Sequence, residues 1–222
     1  VISQKEAAPA HDLHASLMSL PKLMQLFREN DYCSQPYLEI GKLETDPVPS
    51  PKIPDAKRVA VTWASEQNSE ISEKKSIPYA KFCSLFDTPN CQFYSAQLNA
   101  EATAIADMNR RSNVTDLRDS IIDFQDTADF LSQMDLVISV DTAAAHLAGA
   151  LGLPTWTILP FASDWRWRMH RTDSPWYPTM RLFRQSRAGD WNPVLEEVGH
   201  CLFNYGAQMS TSRIAKHYLS SA

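Results

Sequence analysis

Short apolar runs, separated by polar and proline-marked stretches, dominate the pattern of this chain. Residues 58–64 (RVAVTWA), 91–95 (CQFYS), 136–140 (LVISV) and 155–159 (TWTIL) are rich in β-branched and aromatic residues. Runs of that length and composition are expected as buried strands. Residues 180–183 predict a last strand, and 113–120 a short strand and turn. Between them lie segments of helical character: 78–86 with proline at its start, 100–109, 127–134 with Phe130 and Leu131 inward, 143–151 and 191–203. Asp126 and Thr127 are expected to cap the helix over 127–134. The polar stretch 65–75 predicts a loop. Alternation of strands and helices from 58 to 203 predicts an α/β fold, a doubly wound parallel sheet.

Upstream the pattern weakens. Residues 1–10 are polar. Leu23, Leu26 and Phe27 suggest a helix over 22–29, and 37–40 a short extended piece. Residues 45–54 (TDPVPSPKIP) hold four prolines in ten and predict a linker, because proline suits neither a helix interior nor an inner strand. The expected organisation is therefore 1–54 as a preceding remnant and linker, 55–203 as the main domain, and 204–222 as a polar tail or crossing helix. Val1 stands where an initiator methionine would, which points to a processed chain or a piece of a longer one.

Composition narrows the classes. With 222 residues, 44% hydrophobic and 21% charged, the chain is long enough for one good α/β core. A net charge of −5 argues against general nucleic-acid binding, which needs a basic face. Cys33, Cys83, Cys91 and Cys201 have no metal-ligand spacing, so no metal site is expected, and reduced thiols in a cytoplasmic protein are the simplest reading. No glycine-rich dinucleotide fingerprint follows any strand, which disfavours a dehydrogenase lobe.

The stretch 135–160 (DLVISVDTAAAHLAGALGLPTWTILP) carries the candidate chemistry. It predicts strand, tight turn, small-residue helix and strand. A helix that starts at the C-terminal end of a parallel strand offers free N–H groups and a positive dipole end to an anion. Thr142 and His146, four apart, share a helix face, and three alanines at 143–145 leave room for a ligand to approach the backbone. Aromatic residues cluster after the next strand: Phe161, Trp165, Trp167, Trp176 and Tyr177 would either stack on a base or sugar or form the core of a loop.

Asp141-Thr142-Ala143-Ala144-Ala145-His146-Leu147-Ala148 resembles the Asp-Thr-Gly-x-x-His-Leu-Ala motif of glycosyltransferase family nine, the heptosyltransferases. The segments SLMSLP (16–21), KSIP (75–78), LPFASDWRW (159–167) and DSPWYPTMRLFRQ (173–185) extend the likeness. The text is similar to heptosyltransferase-like domains that follow tetratricopeptide repeats in bacterial proteins. That resemblance implies a Rossmann-like C-terminal lobe of a GT-B glycosyltransferase, binding a nucleoside-diphosphate sugar as substrate with no metal or other cofactor. It implies donor contacts from Asp141, Thr142, Ala143 and His146, and from Lys75 as a cation beside the diphosphate. Further donor contacts would come from Gln97, Glu101, Asp126 and Thr127. His14 is a weaker candidate for acceptor or catalytic contact. Ala143 departs from the family glycine, so the backbone there should be ordinary. The acceptor is left open among saccharide, lipid-linked sugar and protein. A tetratricopeptide-repeat region elsewhere in the full-length chain is implied, as is a cytoplasmic location, free or peripheral to the inner membrane. In such enzymes the base that would activate the acceptor comes from the first lobe, expected to be mostly absent here, so the piece alone is expected to be inactive. The alternative is a non-catalytic sugar-nucleotide-binding or protein-interaction module that retains the fold.

Overall fold

The computed structural model describes residues 9–16, 19–26, 28, 35–41, 48–65 and 69–219, with side chains to residue 207. The chain divides into two compact units, Val1–Cys33 and Ser34–Ala222. In the first, the described helix α1 is one turn, Leu20–Leu23. It is shorter than the expected 22–29 because the chain passes into a left-handed conformation at Gln25 (φ 58°). His14 is exposed in this unit, edge-on to His11 with ring centroids 5.9 Å apart.

The second unit holds a six-stranded, all-parallel sheet. Its strands are β1 (Lys57–Thr62), β2 (Cys91–Ser95), β3 (Val114–Asp116), β4 (Leu136–Val140), β5 (Thr155–Leu159) and β6 (Met180–Arg184), in the spatial order β3-β2-β1-β4-β5-β6. The doubly wound α/β expectation is thus met, with every expected strand present. The helices are α2 (Glu70–Lys75), α3 (Tyr79–Phe82), α4 (Ala102–Met108), α5 (Phe124–Leu131), α6 (Ala143–Ala150) and α7 (Asn192–Leu219).

Alternation along β1 explains the layering. Val59 and Val61 point to a core shared with Phe82, Phe86, Phe93, Ile138 and the α7 residues Val198 and Leu202. Ala60, between them, points to the opposite face, where Tyr94, Val137, Phe130, Leu131 and Ala148 pack. A third cluster joins Ala145 and Ala150 of α6 to Leu159, Leu182, Trp167 and Tyr177. Both faces of the central strands are buried, which is why their sequences read as unbroken apolar runs.

Several local expectations are revised. Residues 65–75 are not all loop: Ser69 caps α2 by accepting from the Ser72 N–H. The helix expected over 191–203 runs on into 204–222, expected as a tail or crossing helix, as one continuous α7 to Leu219. The proline-rich stretch, where described, lies on the sheet rather than spanning free. Val48 is buried in the second core, the Tyr94 hydroxyl donates to the Pro49 carbonyl at 2.9 Å, and Gln92 Oε1 accepts from the Lys52 N–H at 3.2 Å. Proline excludes this segment from the ladder, but apolar Val48 and free carbonyls still give it something to bury and something to bond.

Candidate functional site

The strand order reverses at β1 and β4, and in open α/β sheets ligands bind outside the carboxyl ends of the strands at such a switch point. Two connections meet there. The one after β1 runs through α2 and brings Lys75 in its last turn. The one after β4 is Asp141-Thr142, leading directly into α6.

Asp141 is the hub. Its side chain is 5% exposed, with Oδ2 2.7 Å from Lys75 Nζ and Oδ1 3.6 Å from His146 Nε2. Burial pushes its carboxyl pKa up, but His146 and the Lys75 ammonium outweigh burial and hold it at about 2, with a smaller contribution from the Trp167 indole. Asp141 is therefore ionised and accepts only. His146 completes the row: its Nδ1 lies 3.0 Å from the Tyr177 hydroxyl, and its ring stacks on Trp167 at 5.0 Å and 21°.

Thr142 is the N-cap of α6 by backbone conformation (φ −132°, ψ 171°), yet its side chain makes no cap bond. The hydroxyl turns to Ser139 Oγ instead, at 2.9 Å, and Ser139 Oγ meets Thr62 Oγ1 at 2.5 Å. These three hydroxyls tie the start of α6 to β4 and β1. No side chain caps the start of α6, where Ala145 N–H donates to the Thr142 carbonyl at 3.1 Å. Ala143 opens the helix in exposed position, where an L-residue sits without strain.

Two further candidates, Gln97 and Glu101, differ in how the fold engages them. Gln97 is 6% exposed. Its Oε1 accepts from the Trp63 and Ala64 N–H groups at 3.0 and 2.9 Å, and its Nε2 donates to the Ala64 carbonyl at 3.1 Å. That amide clamps the exit of β1. Glu101 is the exposed N-cap of α4, making no side-chain cap bond.

Asp126 and Thr127 do not begin their helix. Asp123 does, accepting from the Gln125 and Asp126 N–H groups, while Asp126 Oδ2 reaches back to the Asp123 N–H at 3.2 Å in a capping box. Thr127 Oγ1 donates to the Asp123 carbonyl at 2.9 Å. The helix starts three residues before the expected place because Asp123 and Asp126 satisfy each other's N–H groups. Asp123→Ala is expected to cost about 1 kcal/mol, the usual worth of an N-cap. Urea denaturation would check this, and no change would displace Asp123 as the cap.

Ser139 and Thr62 are residues of this corner that sequence reasoning missed. Trp167 and Tyr177 were visible in the aromatic run after β5, though not as partners of His146. No signal existed for the hydroxyls, which are brought together only by strand pairing (Thr62↔Ser139). The loop carrying Trp167 is held by Arg184, whose guanidinium donates to the Trp167 and Arg168 carbonyls at 3.2 and 2.6 Å and to Ser163 Oγ. Arg168 itself has positive φ (48°) within that grip. Among the described residues no group of three or more His, Cys, Asp or Glu side chains is arranged to hold a metal ion, and no helix is long and apolar enough to cross a membrane. Cys83, Cys91 and Cys201 are free thiols.

Protein FlbA of Caulobacter vibrioides is 28% identical over 160 residues, covering 70% of this chain and 26% of FlbA. The chain thus spans about a quarter of the length of this curated relative. No solved structure matches. Residues 90–176, which run from β2 through α6 to the aromatic loop, match the family model of glycosyltransferase family 9 (heptosyltransferase).

Proposed function

We propose that this domain binds the nucleoside-diphosphate part of a sugar donor for glycosyl transfer, as the C-terminal lobe of a GT-B enzyme. The observation that carries the reading is the Lys75–Asp141–His146 row, lying across the switch point beside the uncapped start of α6. A diphosphate needs donors and positive potential without a crowding side chain. Ala143 and Ala144 supply the space, the α6 terminus the N–H groups and partial positive charge, and Lys75 an ammonium held by Asp141.

In the transfer, the acceptor hydroxyl oxygen forms a bond to the anomeric carbon as the bond from that carbon to the diphosphate oxygen breaks. The departing nucleoside diphosphate takes the electron pair, and the hydroxyl proton passes to a base. Lys75 and the α6 N–H groups would stabilise charge growing on the leaving group, which is where electrostatic preorganisation acts. Asp141 keeps Lys75 beside that position.

Calorimetric titration with ADP, GDP, UDP and CDP tests the reading. One of the four is expected to bind, and Lys75→Ala is expected to weaken it by about tenfold, the worth of one charge-assisted hydrogen bond. Failure of all four to bind a folded chain would overturn it. A second reading, a binding module without turnover, draws on one observation: Lys75 is already spent on Asp141 at 2.7 Å. Turnover of a nucleotide sugar by the full-length protein would dismiss that alternative.

A further inference from the structure

Tyr177 sits closer to α6 than a side chain on the helix would ordinarily permit. A Cβ at Gly149 would lie 2.5 Å from Tyr177 Cγ and under 3.0 Å from both Cδ atoms. Glycine at this position is what lets the phenol ring lie against the helix backbone. From that seat the hydroxyl reaches back along the helix to His146 Nδ1, at 3.0 Å. Trp167, fully buried, covers a face of the imidazole. His146 is therefore clasped by two aromatic residues, one of which addresses a ring nitrogen directly.

The proton positions follow from what each neighbour can do. Asp141 is a carboxylate, and a carboxylate has no proton to give. The His146 nitrogen that faces it, Nε2, is best matched as N–H. In a neutral imidazole Nδ1 is then an acceptor, and the Tyr177 O–H must be its donor. Burial, the largest cause, raises the Tyr177 phenol far above its usual value, so it keeps its single proton; for that proton to point at His146 Nδ1, the Tyr37 hydroxyl must donate to the Tyr177 oxygen rather than accept from it. Tyr37 is anchored in turn, its N–H and that of Leu38 both donating to the Ala150 carbonyl at the end of α6, at 3.0 and 3.2 Å.

We propose that Tyr177 is a positioning residue for the donor site: seated on Gly149, its hydroxyl donates to His146 Nδ1 and fixes the imidazole with its proton on Nε2, towards Asp141 and the crevice. The identity of the ligand rests on the nucleotide-donor reading; the state of the imidazole does not. Phosphate oxygens, like carboxylate oxygens, accept and do not donate. An imidazole presenting Nε2–H can serve either, whereas the opposite tautomer would aim a lone pair at both. The second nitrogen of a functional histidine commonly sets the role of the first in this way.

Tyr177→Phe is the test, because it keeps the ring on Gly149 and removes only the hydroxyl. With 15N-labelled histidine, two-bond proton–nitrogen spectra at about pH 8, above the ordinary imidazole range, distinguish the two tautomers directly. His146→Gln assigns the signal by its loss. The native chain is expected to give the Nε2–H pattern at His146, and Tyr177→Phe an averaged pattern of both forms. A merely structural tyrosine would leave the tautomer unchanged. An Nδ1–H pattern in the native chain, or an identical pattern in Tyr177→Phe, overturns the proposal. Whichever nucleoside diphosphate binds the native chain is expected to bind Tyr177→Phe about fivefold more weakly, the scale of one neutral hydrogen bond. Equal affinity despite a changed tautomer would remove the positioning role. Should ADP, GDP, UDP and CDP all fail to bind the native chain, the donor reading falls, while the spectra still decide whether Tyr177 sets the imidazole.

Discussion

Trp167→Ala is expected to destabilise the domain by about 3–5 kcal/mol, the range for deleting a buried large aromatic. The indole is fully buried, packed among Ala145, Leu159, Tyr177 and Leu182 and stacked on His146. Its surroundings cannot easily collapse into the space left behind. On one side stands α6, pinned through Thr142 and Ser139, and on the other the loop that Arg184 grips at two carbonyls. Trp165 provides the internal control. It lies two residues away on the same short helical turn, Trp165–Trp167, but is 62% exposed. Trp165→Ala should cost less than about 1 kcal/mol, as surface substitutions usually do. Urea denaturation of both variants measures the contrast. For a chain of this size the Trp167 change should lower the melting temperature by roughly 10 °C. Equal losses from the two substitutions would contradict the packing described.

Asp141→Asn is expected to cost about 2 kcal/mol at pH 7, and the cost should vanish in acid. The argument is one of linkage. The Asp141 carboxyl is held at about 2 in the folded protein, against 3.8 as its ordinary value. Because the folded pKa is the lower, the native state favours the ionised form. The corresponding stability is fully present above about pH 4 and is lost as the pH falls through about 2. Roughly two pKa units correspond to between 2 and 3 kcal/mol. Lys75 is 22% exposed and can turn partly to water once its partner is neutral, which keeps the loss below that of a wholly buried pair. Other carboxylates titrate in native and variant chains alike, so they cancel in the difference. Paired urea titrations at pH 7, 4 and 2.5 should give a difference that is constant between the first two and shrinks at the third. A difference independent of pH across that range would mean the carboxylate charge is not what stabilises this corner of the fold.

The two substitutions separate two contributions to one site. Trp167 shapes it by volume, and its loss is felt at every pH. Asp141 orders it by charge, holding Lys75 in α2 and His146 in α6 across a crevice that neither helix spans alone. Thr142 contributes differently again. It bonds to Ser139 rather than capping its own helix, and so ties the start of α6 to β4.

The fold and the centre of the site were legible in the chain because both depend on local signals. Strands buried on both faces announce themselves as short β-branched runs, and β1, β2, β4 and β5 lie where such runs occur. Asp141, Thr142 and His146 belong to one strand–turn–helix unit, where sequence spacing sets which residues share a face. Lys75 was placed by family resemblance rather than by pattern, since its connection to Asp141 crosses between two strands. Helix starts were read less well. Asp123 and Asp126 both suit a cap, and only the reciprocal bonding of the capping box selects Asp123. The proline-rich stretch has the composition of a linker, and nothing local marks Val48 as the residue that returns it to the core.

What tertiary structure alone decided is how polar groups were shared out. Gln97 has the chemistry of a ligand contact, but the open N–H groups at the end of β1 claim its amide first, because buried backbone donors cannot be left unmet. Tyr177 is distant in sequence from His146, and it becomes the partner of Nδ1 only because Gly149 admits its ring to the helix surface. By itself, then, the sequence determined the parallel α/β sheet and the Asp141-Thr142 turn that leads from β4 into α6, since periodicity and short-range spacing encode both. Which side chains remain available to a ligand, and which are consumed in holding the crevice open, depends on contacts between distant segments, and those exist only once the sheet has brought its edges together.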